Sequence, residues 1–158
     1  MERIKSLPLK QLMLFIYPNL YPIHNSFINE TDRPIPVQLS FANIERNGVY
    51  LLDTYDNIFV YICKSVHPQW LAEVFNVTQW ALIPDDGDIA HNNHTTVSQH
   101  LSRGQTSGDN SSIIRLPLLE NMTSKRIHSF INSLIEKRAF QPNFHIIRFS
   151  FIIKYNLF

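Results

Sequence analysis

The chain has 158 residues, 44% of them hydrophobic and 12% aromatic, with a formal net charge of +1. That length suffices for one domain with a real core. A charge this close to zero, with Lys and Arg scattered, excludes a general attraction to nucleic acid or to an acidic membrane surface.

Cys63 is the one cysteine. No intrachain disulfide is possible, and no zinc site can rest on one thiol. Its place inside an apolar run reads as a small buried hydrophobe rather than a reactive nucleophile. The first apolar run, Leu12 to Tyr17, is short and stops at Pro18. It has neither the form of a secretory signal nor the roughly 20 apolar residues of a membrane span. The simplest expectation is a cytosolic protein. In that setting the Asn-x-Ser/Thr triplets at Asn76 and Asn121 carry no meaning as glycosylation acceptors.

In chain order, Pro8 to Tyr17 predicts a short helix. Pro8 suits its first turn, Leu9, Leu12, Met13 and Ile16 share one face, and Pro18 ends it. Asn25 to Pro34 is polar and loop-like. Pro36-Val37-Gln38-Leu39-Ser40 alternates weakly, as a strand would. Val49 to Asp53 and Ile58 to Cys63 are two strands joined by a turn over Thr54, Tyr55, Asp56 and Asn57. Asn57 is the residue expected to tolerate a left-handed backbone. Both strands are nearly continuous in apolar residues, which predicts cover on both faces by two layers of helix.

Pro68 to Phe75 predicts a second short helix with Trp70, Leu71, Val74 and Phe75 on one side. Residues 85–112 hold Asp, Gly, His, Asn, Ser and Thr with almost nothing large and apolar, and read as a disordered insertion. Ser124 to Arg138 is the clearest helix. Ile127, Phe130, Ile131, Leu134 and Ile135 form its apolar stripe, Thr123 or Ser124 is the expected cap, and Lys137 and Arg138 suit its negative end. The stripe reads as core rather than a docking face. Trp70 and Trp80 read equally well as core or as surface anchors. Phe144 to Phe149 predicts a last strand. The order strand, hairpin, short helix, insertion, long helix, strand fits an α/β (α+β) mixed sheet with helices on its faces.

Candidate chemistry is sparse. Asp85-Asp86-Gly87-Asp88 begins like a calcium loop but lacks the alternating ligands and the distal Glu. His91, His94 and His100 are close in sequence, yet a polar insertion holds no ligand fixed, so no metal is expected there. Asp53 and Asp56 at the hairpin tip are the one carboxylate pair that could share acid–base work, and turn formation explains both. There is no Gly-x-Ser-x-Gly elbow and no glycine-rich phosphate loop. No catalytic, cofactor or metal residue is therefore assigned, and no enzyme is expected.

Gly48-Val49-Tyr50-Leu51-Leu52-Asp53, followed by Ile58-Phe59-Val60-Tyr61-Ile62, resembles the central hairpin of gelsolin-like domains. Leu116-Pro117-Leu118-Leu119-Glu120-Asn121-Met122-Thr123-Ser124 is similar to the segment that opens the long helix there. Tyr17-Pro18-Asn19-Leu20-Tyr21-Pro22-Ile23-His24 resembles the run that precedes the gelsolin-like domain in the Sec twenty-four family, the cargo-selecting subunits of the COPII coat. The resemblance implies a gelsolin-like mixed sheet flanked by one long and one short helix, preceded by a short helical segment. It divides the chain into the end of a helical domain over 1–30, the gelsolin-like domain over 31–149 with its insertion, and an unmatched apolar tail over 150–158.

It further implies a non-catalytic adaptor domain in endoplasmic reticulum to Golgi transport. The implied partners are a Sec twenty-three-type subunit, cargo and SNARE proteins through the full-length adaptor, and the coat's small GTPase indirectly. Nucleic acid is not among them. Membrane association is peripheral, through the coat at the endoplasmic reticulum, and no cofactor is implied. The apolar tail departs from the family, which continues there into helix, so a fragment of a longer protein or an incomplete gene model is expected. The rival from another class is an actin- or calcium-binding gelsolin/villin-type module. That rival needs a hairpin carboxylate and a long-helix Glu for its ion, and Glu136 lies at the far end of the helix.

Overall fold

The computed structural model describes residues 8–26, 33–84 and 114–150. Its elements are α1 (Leu9–Ile16), β1 (Asn19–Pro22), β2 (Val49–Asp53), β3 (Asn57–Cys63), α2 (Pro68–Phe75), α3 (Met122–Ile135) and β4 (Asn143–Phe149), with single 3-10 turns at Phe41–Asn43 and Trp80–Leu82. The insertion over 85–112, with Asp85, Asp86, Asp88, His91, His94 and His100, lies outside the described residues, as do tail residues 151–158.

The sheet runs β1-β2-β3-β4. β1 pairs antiparallel with β2 and β2 antiparallel with β3, in register Leu51↔Val60. β4 returns parallel to β3, setting Ile58 beside Phe144 and Val60 beside Ile146. Strand alternation then sorts side chains by face. Tyr21, Val49, Leu51, Ile58, Val60, Ile62, Phe144 and Ile146 share one face and pack in a single core with Leu71 and Val74 of α2 and Ile127 and Ile131 of α3. Leu20, Tyr50 and Cys63 point the other way and form a smaller cluster with Leu52, Tyr61, Phe149, Val37 and Ile44.

The expectation of helix on both faces is therefore corrected. α2 and α3 both pack on the inner face, and the outer face meets the irregular segment around Val37–Ile44 instead. The strand expected at Pro36–Ser40 reduces to one bridge between Leu20 and Val37. Pro34 and Pro36 lack the N–H groups that a longer ladder would use.

Sequence motifs acquire local reasons. The Tyr50 ring folds back across Gly48, where a Cβ would stand 2.4 Å from Tyr50 Cε2. The Tyr50 hydroxyl accepts the Glu45 N–H at 2.8 Å, which fixes the ring there. Leu20-Tyr21-Pro22-Ile23-His24 supplies β1 and a latch beyond it. The Ile23 N–H donates to the Val49 carbonyl, and the Val49 N–H donates to His24 Nδ1 at 3.1 Å.

α3 begins two residues earlier than expected because Asn121 is its cap, its Oδ1 accepting the Ser124 N–H at 2.8 Å. Ser124 is instead buried, accepting the Leu119 N–H at 3.0 Å. Glu73 ties α2 to that cap: Thr123 Oγ1 donates to its carboxylate at 2.6 Å and Asn121 Nδ2 to its backbone carbonyl at 2.7 Å. α3 ends at Ile135, so Lys137 and Arg138 lie past it rather than in its last turn.

Candidate interaction surface

The hairpin tip is a closed knot. Asp53 lies on the inner face at the end of β2, and Arg138 Nη2 approaches its Oδ1 to 2.5 Å, with both side chains 2% exposed. The contact is an ion pair rather than an aligned hydrogen bond. Arg138 Nη1 donates to the Tyr55 carbonyl and Nε to the Leu134 carbonyl. Asp53 Oδ1 also accepts the Tyr55 N–H at 3.0 Å, and the Tyr55 hydroxyl donates to Gln11 Oε1 of α1 at 2.6 Å.

Tyr55, not Asn57, takes the left-handed backbone, with φ 71°. A bulky residue there is strained. Its buried ring, hydroxyl, amide and carbonyl all have partners that offset the cost. Asn57 begins β3. A substrate therefore has no access to Asp53, and Asp56 sits apart on the turn, so the acid–base pair does not form. Glu136 is exposed at the α3 terminus while Arg138 holds Asp53. Among the described residues no group of three or more His, Cys, Asp or Glu side chains could hold a metal ion.

Cys63 is fully buried, and burial pushes its thiol up to about 11, outside the nucleophilic range at neutral pH. His128 of α3 is held below its usual pKa, by burial first, while its ring nitrogen meets the Pro117 carbonyl at 3.3 Å. The α3 stripe is core, with Ile127 and Ile131 fully buried. Trp70 belongs to the inner core. Trp80 packs at its margin, donates its indole N–H to the Ile62 carbonyl at 2.8 Å, and has Arg148 over its ring.

The described residues also present apolar surface. A groove of about 260 Å³ opens on the outer sheet face, lined by Leu20, Leu39, Phe41, Tyr50, Leu52, Tyr61 and Phe149 among others. Leu39 and Phe41 on its rim are 53% and 76% exposed, and nearby Ile35 is 77% exposed. α1 adds a second apolar surface, with Leu9, Met13, Ile16 and Tyr17 all exposed. Clustered exposure of this kind marks protein–protein contact sites in soluble proteins. The sequence did not flag Ile35, Leu39 and Phe41. Their signal was large apolar residues in a proline-broken segment unable to form a strand. No described helix is long and apolar enough to cross a membrane.

A four-stranded mixed sheet with a long and a short helix on one face, its central hairpin tied to the long helix, defines a gelsolin-type domain. The family model for the gelsolin repeat matches residues 30–101. The chain is 30% identical to protein transport protein Sec24A of Mus musculus over 98% of its own length, and 27% identical to Sec24B of Homo sapiens over 94%. It is 35% identical to the sec24 protein of Schizosaccharomyces pombe over 49% of this chain and 9% of that one. The crystal structure of the human COPII-coat protein Sec24c superposes with a TM-score of 0.68 over 90% of this chain and 16% of that one, at 22% identity, and shares the fold. The chain is thus a gelsolin-type homologue of the protein transport proteins Sec24A and Sec24B. It spans 12% of the length of the mouse relative and 10% of the human Sec24B.

Proposed function

We propose that the chain is a non-catalytic protein-interaction domain of a COPII coat subunit, acting in endoplasmic reticulum to Golgi transport and cargo selection. The observation that carries this reading is the 30% identity with mouse Sec24A across 98% of the chain. The exposed apolar groove and the closed hairpin tip support it, since they offer a surface for packing and no open pair of carboxylates. In this reading residues 31–149 are the gelsolin-like unit and residues 1–30 link it to a helical neighbour. Its partner is a Sec twenty-three-type subunit. Cargo and SNARE proteins join through the full adaptor, and membrane association is peripheral.

The test is a pull-down from cytosol with the purified chain, with and without calcium, read by mass spectrometry. Coat subunits recovered irrespective of calcium are the expected result. Calcium-dependent recovery of actin without coat subunits overturns the reading in favour of a gelsolin/villin-type module.

A further inference from the structure

We propose that Asn47-Gly48 is a site of spontaneous covalent modification in the folded chain, where the Asn47 amide is converted through a succinimide to aspartate and isoaspartate. This inference does not depend on the coat reading, because it rests on one turn and its neighbours.

The reaction needs an asparagine whose side chain can reach the backbone nitrogen that follows it, and glycine hinders that approach least. Asn47 alone among the chain's asparagines is followed by glycine. The fold imposes that glycine, since any Cβ at position 48 would collide with the Tyr50 ring. The packing that closes the seam between the two sheet faces thus leaves Asn47 beside its most reactive neighbour. Asn47 itself is exposed on the turn. It lines a cavity of about 230 Å³ at the start of α2, together with Ser65 and His67. Its side chain therefore has room to rotate, and water has access to the ring that forms.

The reaction consumes nothing but water. The Gly48 nitrogen bonds to Asn47 Cγ, the Cγ–Nδ2 bond breaks, and ammonia leaves with the Gly48 proton. Water then opens the five-membered imide at either carbonyl. Opening at the side-chain carbonyl gives aspartate. Opening at the backbone carbonyl gives isoaspartate, whose main chain is longer by a carbon atom.

The turn sets the rate. The Gly48 N–H donates to the Glu45 carbonyl at 3.1 Å, so the attacking nitrogen is engaged until the turn opens. Further bonds brace that turn. The Tyr50 hydroxyl accepts the Glu45 N–H at 2.8 Å, the Gly48 carbonyl accepts the Cys63 N–H at 3.1 Å, and the Arg46 carbonyl accepts the Ser65 N–H at 3.2 Å. A single surface turn opens at far lower cost than the whole domain, so conversion proceeds without global unfolding. The longer isoaspartyl backbone no longer fits these bonds, and the start of β2 then loosens against β3.

The chain carries its own controls. Asn25 and Asn132 are exposed and each is followed by serine, and Asn132 lies inside α3, where the next amide is freed only when the helix opens. The full chain is held in mildly alkaline native buffer and, in parallel, in urea. Samples are digested at mildly acidic pH, and the aspartate and isoaspartate forms of each asparagine peptide are separated and weighed. The expected result is conversion of Asn47 in the native sample ahead of Asn25 and Asn132, with both product forms present. Tyr50→Phe keeps the ring over Gly48 but removes the hydroxyl that braces Glu45. It should speed conversion at Asn47 by about threefold to tenfold and leave Asn132 unchanged. Conversion of Asn47 in urea but not in native buffer overturns the proposal. So does aspartate formed without isoaspartate, which means direct hydrolysis of the amide. An unchanged Asn47 rate in Tyr50→Phe, or an equal rise at Asn132, overturns it as well.

Discussion

The two faces of the one sheet are comparably apolar and differently covered. On the inner face Val49, Leu51, Ile58, Val60 and Ile62 are fully covered by α2 and α3. On the outer face, among the described residues, Val37, Leu39, Phe41 and Ile44 lie at the groove over Tyr50 and Tyr61, and Leu39 and Phe41 remain more than half exposed. Apolar character in a strand therefore says that a residue will be covered, not which segment does the covering. The inner face stabilises the domain. The outer face is surface that a neighbour can cover.

The comparison breaks most readily at the tip of the inner face. Arg138→Met leaves Asp53 buried without its counter-ion, and is expected to cost about 3–5 kcal/mol in urea unfolding. A cost near zero would mean that the hairpin tip opens to water. Ile127→Ala, at a fully buried position of α3, is expected to cost about 2–5 kcal/mol, read the same way. Gly48→Ala probes the seam between faces, because the added Cβ meets the Tyr50 ring. A loss of about 1–3 kcal/mol is expected, and Tyr50→Ala in the same background should erase most of the difference.

His128 sharpens the inner layer by pH. Its pKa is held down in the fold from 6.5, so the unfolded chain takes up the proton first as pH falls. Its contribution is intact above about 6.5, is lost progressively as pH falls from there, and is fully lost below the depressed folded value. His128→Gln should flatten that part of the unfolding midpoint-versus-pH curve. Smallest of all, Phe41→Ser on the outer rim should change stability by no more than about 0.5 kcal/mol. The same variant should reduce recovery of coat subunits in the pull-down, which would separate a docking residue from a core one.

Much of the architecture was legible. The α2 bounds follow from Pro68 at its first turn and from apolar spacing, and the hairpin from two apolar runs around a polar turn. The misses have physical causes. β1 is four residues long and ends in Pro22, which an edge strand tolerates but a pattern search discounts. From sequence Arg138 reads as a charge on the helix dipole, because local sequence shows charge near a helix end. Its actual partner, Asp53, is distant in the chain and found only by the fold. The same holds for Tyr55, whose left-handed backbone is imposed by Gln11, Asp53 and Arg138 together. The groove rim and the cavity at the start of α2 carry no sequence signature because neither forms a motif. Each is assembled from single residues on separate segments.

The parallel partnership of β3 and β4 joins Asn57 to Asn143. β1, β2 and β3 are near neighbours in sequence and can pair as soon as residue 63 has been made. α3 and β4, which cover and extend that sheet, are synthesised much later. During translation the nascent meander has α2 alone to cover its most apolar face for as long as some seventy further residues take to emerge, on the order of 4–14 s at common elongation rates. The window in which this domain most needs a chaperone is thus written into its strand order, and it closes when Ile127 and Ile131 arrive.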